Sequence, residues 1–121
     1  MNNGLLFKAS AVIEVLTGVA LLVAPSLVIE LLLGSGLSSI GIAVSRVLGV
    51  GLLSLGVAAW DITRLAPKVG ICIYNLGAAT LLSYFGTLGE MNGILLWPAA
   101  ALHGIVSAAM TWVILINSQP A

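Results

Sequence analysis

Polar positions are the exception along this chain, and their placement divides it into four long apolar stretches. Residues 5–23, 40–60, 69–88 and 94–116 each hold few polar side chains. Each reaches the length, about 20 residues, at which an α-helix crosses the hydrocarbon core of a bilayer. With almost every position apolar, no single wet face is defined, so length and breakers delimit the helices rather than period. The polar/apolar alternation over about ten residues that marks membrane-barrel strands does not occur.

Pro25 and Ser26 end the first helix, and Ser26 is the candidate N-cap of a short helix over residues 27–33 closed by Gly34-Ser35-Gly36. Glu30 is its only charge, so this segment is expected at the membrane interface, with a bent extension of the first helix as the alternative. Asp61 to Lys68 reads as a loop and Gly89-Glu90-Met91-Asn92-Gly93 as a turn. Pro98 falls in the first turn of the last helix, where its missing N–H costs little. The expected fold is all-α, a single transmembrane domain over residues 1–121 built as an antiparallel four-helix bundle with a short interfacial helix after the first span.

Composition removes whole classes of function. Only 7% of the 121 residues are charged, against roughly 25% in soluble domains. The four Lys and Arg balance the four Asp and Glu, so there is no basic arm for nucleic acid. With one Cys and one His, the chain spells no zinc site, CxxC pair, internal disulfide or c-type haem motif, and no cofactor or metal is expected. No GxSxG elbow occurs, and nothing else spells an enzyme. Glu14 interrupts the first apolar run and Val23-Ala24-Pro25 is a poor cleavage site, so that run is expected to be a retained helix.

Charge also orients the spans. In a four-span topology Lys8, Arg64 and Lys68 share one side, while Glu30 and Glu90 lie on the other. Positive charge is retained inside, so both termini are expected in the cytoplasm. Phe7, Trp60 and Trp112 then fall near the inner boundary and Tyr84, Phe85 and Trp97 near the outer one, as an interfacial aromatic belt. Small residues recur at helical spacing, Gly41, Ser45, Gly49 and Gly56 on the second span and Ala100, Gly104 and Ala108 on the fourth. Such ladders let backbones approach, within the bundle or between copies. A homo-oligomer or a place in a larger membrane complex is expected.

The candidate chemistry lies inside the spans. Arg46 would cost about 2.5–3.5 kcal/mol in hydrocarbon, so it calls for a partner, a cavity or a path to the headgroups. Glu14, Tyr74, Asn75 and His103 complete the set of candidate ligand-binding or proton-coupling residues. At about 1.5 Å of rise per residue, Glu14, Arg46, Asn75 and His103 share a middle band of the bilayer. Ser10, Glu14, Thr17 and Gly18 form one stripe of the first helix, Ala43, Arg46, Gly49 and Val50 one of the second, and Ala100, His103, Ser107 and Thr111 one of the fourth. The expected arrangement turns all three stripes toward a shared interior. Three readings stay open: a Glu14–Arg46 pair that fixes register with help from Asn75 and Tyr74, a polar site that binds or conducts a small molecule, ion or proton, and an Arg46 that snorkels outward.

With Glu14 central in the first of four short helices, within Ala11-Val12-Ile13-Glu14-Val15, the chain resembles the small multidrug resistance transporters. That resemblance implies a coupling role for Glu14, alternating between cation and proton. The chain departs from that family in carrying Arg46 and in placing Trp60 at the end of the second span.

Overall fold

A computed structural model describes residues 3–117 and is all-helical over them. Five helices follow one another: α1 (Asn3–Val23), α2 (Pro25–Leu33), α3 (Ser39–Ala58), α4 (Leu65–Leu88) and α5 (Leu96–Asn117). All but α2 are long and apolar enough to cross a membrane.

Several helix boundaries differ from the sequence expectation. Ser26 caps nothing: Pro25 already occupies the first helical position, where its fixed φ suits the helix, and Ala24 is the N-cap. Gly34 closes α2 in the left-handed conformation (φ 76°). Ser38 caps α3, its hydroxyl accepting from the amide of Gly41 at 3.1 Å. The expected loop through Lys68 is shorter, because α4 starts at Leu65 and takes in Pro67 within its first turn, where no i−4 hydrogen bond is lost.

The long helices pack as two pairs. In the first, Gly56 of α3 meets Ala11 and Val15 of α1, and Gly49 meets Gly18 and Leu21, so the two helices run in opposite directions. The seam on α3 is Ser45, Gly49, Leu52 and Gly56, all buried. Gly41, expected in this ladder, has its nearest neighbours in Leu37 and Ser38, just ahead of α3, and not on α1. A Cβ on Gly18 would stand 2.7 Å from the Gly49 carbonyl oxygen, so the glycines are what permits the close approach. In the second pair, Gly86 of α4 meets Leu96 and Trp97 of α5. Further along, Cys72 of α4 lies 3.3 Å from the Thr111 hydroxyl of α5, again in opposite directions.

The two pairs join at one end. Phe7, Ala11, Ala59, Ile71 and Met110 form a buried cluster there, with Lys8 over the Trp60 ring and Lys68 over the Phe7 ring at 5.5 and 5.9 Å. Phe7, expected in the aromatic belt, is instead 1% exposed, because the N-terminal turns of α1 lie over α4 and α5. Trp60, Trp97, Trp112 and Tyr84 remain exposed.

Toward the other end the pairs part. There α2 crosses the gap, held by the α4–α5 loop: the amide of Asn92 donates to the Leu33 carbonyl at 3.2 Å and that of Leu95 to the Leu31 carbonyl at 2.8 Å. Carbonyls at the end of α2 thereby find donors. The space left between the pairs is a cleft of about 860 Å³.

Candidate functional site

The cleft draws its walls from all five helices and is almost wholly apolar. Its polar side chains are Thr17 of α1, Tyr74 of α4 and His103 of α5. Tyr74 and His103 stand edge to face, with ring centroids 5.7 Å apart.

Asn75 sets the chemistry behind that wall. It is 1% exposed, and its Nδ2 donates to the Ser10 hydroxyl of α1 at 3.1 Å and to the Ile71 carbonyl at 2.8 Å. Reversing the amide would turn Oδ1 against that carbonyl, acceptor on acceptor, so Ile71 fixes the orientation. Oδ1 therefore faces Nδ1 of His103, 2.8 Å away, and accepts its proton. In the neutral ring this leaves Nε2 as an acceptor. Nε2 has no protein partner among the described residues and is not enclosed, while His103 lines the cleft.

Glu14 lies behind the wall that Ile13, Thr17 and Tyr74 form. It is 1% exposed, and neither carboxyl oxygen has a hydrogen-bond partner among the described residues. The Tyr74 phenol is close enough to interact with the carboxyl electrostatically but does not meet hydrogen-bond geometry with it. Among the described residues no cation pairs with Glu14. The ion pair among the described residues is Arg64–Asp61, at 3.6 Å on the surface.

Of the five residues singled out from sequence, the fold brings Glu14, Tyr74, Asn75 and His103 together and leaves Arg46 apart. The stripe expected to carry Arg46 inward does not face the interior: Ala43, Arg46 and Val50 are exposed and only Gly49 is buried. The Ser45–Gly49–Leu52–Gly56 seam decides the rotation of α3, and at 100° per residue Arg46 falls about 90° from its centre. There is no Glu14–Arg46 pair. Ser10 and Thr17 were legible as members of the Glu14 stripe, whereas Ile71, whose carbonyl orients Asn75, gave no sequence signal because its part is played by backbone.

Among the described residues no cluster of three metal-ligating side chains occurs. Cys72 packs beside Ser107 and Thr111 on the α4–α5 seam. Comparison with protein-family models, with curated proteins and with solved structures found no match to this chain.

Proposed function

We propose that the protein is an integral membrane protein whose four long helices form an antiparallel bundle in the bilayer, and that its cleft binds a small, mostly apolar molecule. The end bearing Lys8, Arg64 and Lys68 faces the cytoplasm in this reading, and α2 lies at the opposite interface. The observation that carries the proposal is the enclosed Glu14 carboxyl, without a counter-charge or a well-formed hydrogen bond among the described residues, beside Tyr74 and behind the wall of an otherwise apolar cleft that Tyr74 and His103 line. Such a group costs several kcal/mol to enclose, on the order of a lost ion-pair partner. Ionisable groups kept inside a membrane are by default functional. The apolar walls take the body of the ligand, Tyr74 and His103 meet its polar group, and Glu14 exchanges a proton or balances charge behind them.

The test is photolabelling in nanodiscs with a diazirine-bearing long-chain alkane, mapped by peptide mass spectrometry. Labels should concentrate on cleft residues such as Leu81 and Leu102, and Gly77→Phe should suppress them. Gly77 lines the cleft and faces open space, so the larger side chain fills the cavity without displacing a neighbour. Labels spread evenly over all exposed apolar positions, unchanged by Gly77→Phe, would refute the reading.

One observation favours a second reading, a subunit of an oligomer or larger membrane complex. Arg46 projects from the middle of α3 with no protein partner among the described residues, where lipid would be costly for it. A second copy or a larger protein covering that face would supply its partner. Cross-linking from a cysteine placed at Val47 distinguishes the two: a defined adduct supports the covered face, and labelling by lipid reagents alone counts against it.

A further inference from the structure

The polar wall of the cleft has a fixed hydrogen-bond code. Nδ1 of His103 is held as a donor by Asn75, whose own orientation is held by the Ile71 carbonyl. Neither of these partners lies on the cleft side of the ring, and Asn75 has both of its amide hydrogens committed. The neutral imidazole then offers the cleft an acceptor at Nε2 and no donor. The Tyr74 ring stands edge to face with the imidazole at 5.7 Å, while its hydroxyl interacts with the Glu14 carboxyl. A ligand group that only accepts would find Nε2 acceptor against acceptor. A group that carries a proton to donate would satisfy it.

We infer that the cleft selects apolar molecules that carry a hydroxyl, donating to Nε2 of His103, over the same molecules with an acceptor-only group. This rests on the reading of the cleft as a binding site and adds to it a rule of selection. Apolar walls contribute affinity without regard to the head, because dispersion and exclusion of water are non-directional. Discrimination comes from the polar wall, where leaving an acceptor unpaired against another acceptor loses the hydrogen bond and its partner's solvation together. Asn75 is a positioning residue: it touches no ligand and acts by choosing which ring nitrogen carries the proton.

The experiment compares farnesol with farnesyl methyl ether, which differ in the hydroxyl proton and one methyl group. Binding to the intact protein in nanodiscs is measured by native mass spectrometry at about pH 8, above the ordinary imidazole range. Wild type should prefer the alcohol by about tenfold. In His103→Phe the ratio should fall to near unity with the ether still bound. In Asn75→Leu the ring is free to take either tautomer, so the ratio should fall there too, an effect that loss of packing alone would not produce. Should His103→Phe fail to fold, His103→Gln replaces it, since its amide offers a donor as well as an acceptor and should accommodate both ligands. Equal binding of the two by wild type, or tighter binding of the ether, overturns the selection rule while leaving the cleft as a binding site. Binding of neither overturns both.

Discussion

Nδ1 of His103 lies 2.8 Å from Oδ1 of Asn75, so α5 is tied to α4 at the residue through which α4 also reaches Ser10 of α1. One buried amide thus links three helices belonging to two different pairs. Its position explains why the pairs hold a common register although most of their packing is within each pair.

Replacing Asn75 by Leu is therefore expected to destabilise the fold. It leaves the Ser10 hydroxyl and the His103 Nδ1 proton without their partner, at a cost of about 1–3 kcal/mol for each group so stranded. Unfolding in mixed micelles of rising denaturing-detergent content reads the loss. A transition unchanged from wild type would show that the amide is not a tie.

The α1–α3 seam predicts a sharp contrast among glycines. Gly18→Ala and Gly49→Ala should each destabilise, because the added Cβ would stand 2.7 or 2.8 Å from the opposite carbonyl oxygen and force the backbones apart, at about 1–3 kcal/mol. Gly51→Ala faces open space within the same helix and should be neutral or stabilising by about 0.5–1 kcal/mol. The two damaging substitutions share one contact, so their effects should not add in a double-mutant cycle.

Gly93→Ala is expected to release α2. The new Cβ would fall on the Leu32 carbonyl group, which is backbone and cannot turn aside. The hydrogen bonds from Asn92 and Leu95 to the end of α2 should then open, and amide exchange in Leu27–Leu33 should quicken. Gly36→Ala, with nothing near its Cβ, serves as the control.

Neutralising Glu14 and neutralising Arg46 should register in different measurements. Glu14→Gln removes an unpartnered buried carboxyl and should leave the folded protomer as stable as wild type or more so. Arg46→Leu should leave protomer stability within about 0.5 kcal/mol and act on association instead. Detergent unfolding and native electrophoresis separate the two. Loss of protomer stability in Arg46→Leu would mean that the guanidinium has a partner inside the chain.

Outside the helices, Asp61 gives a pH prediction. The Thr63 hydroxyl and then its amide, 3.0 Å from Oδ1, hold the carboxyl below the usual carboxylate range, with Arg64 adding a smaller effect. A depressed folded pKa means the turn is favoured above the unfolded value of about 3.9 and loses that support only as pH falls through the lower folded value. The Thr63 amide resonance should therefore hold steady at about pH 5 and shift only below the ordinary Asp range. A midpoint at or above that range would refute the account.

Much of this was legible in the chain. The four long helices follow from apolar length, the stop between α1 and α2 from Pro25, and the gathering of Glu14, Asn75 and His103 from their shared depth. The rotation of α3 was not, because Arg46 and Gly49 lie close enough around the helix to be read as one stripe. Phe7 likewise reads as an interfacial aromatic until α4 and α5 are laid beside it.

Sequence alone determined how many helices this chain makes and which few polar groups they carry into apolar surroundings, because helix length and the scarcity of charge are properties of single segments. Tertiary structure alone decided how each helix is rotated, and so that Arg46 stays out of the set. Where almost every side chain is apolar, hydrophobicity does not rank one face above another, and rotation falls to the closest backbone approach. Gly18 against Gly49 turned Arg46 out, and the spreading of the two pairs beyond the Phe7 cluster opened the cleft in front of Glu14.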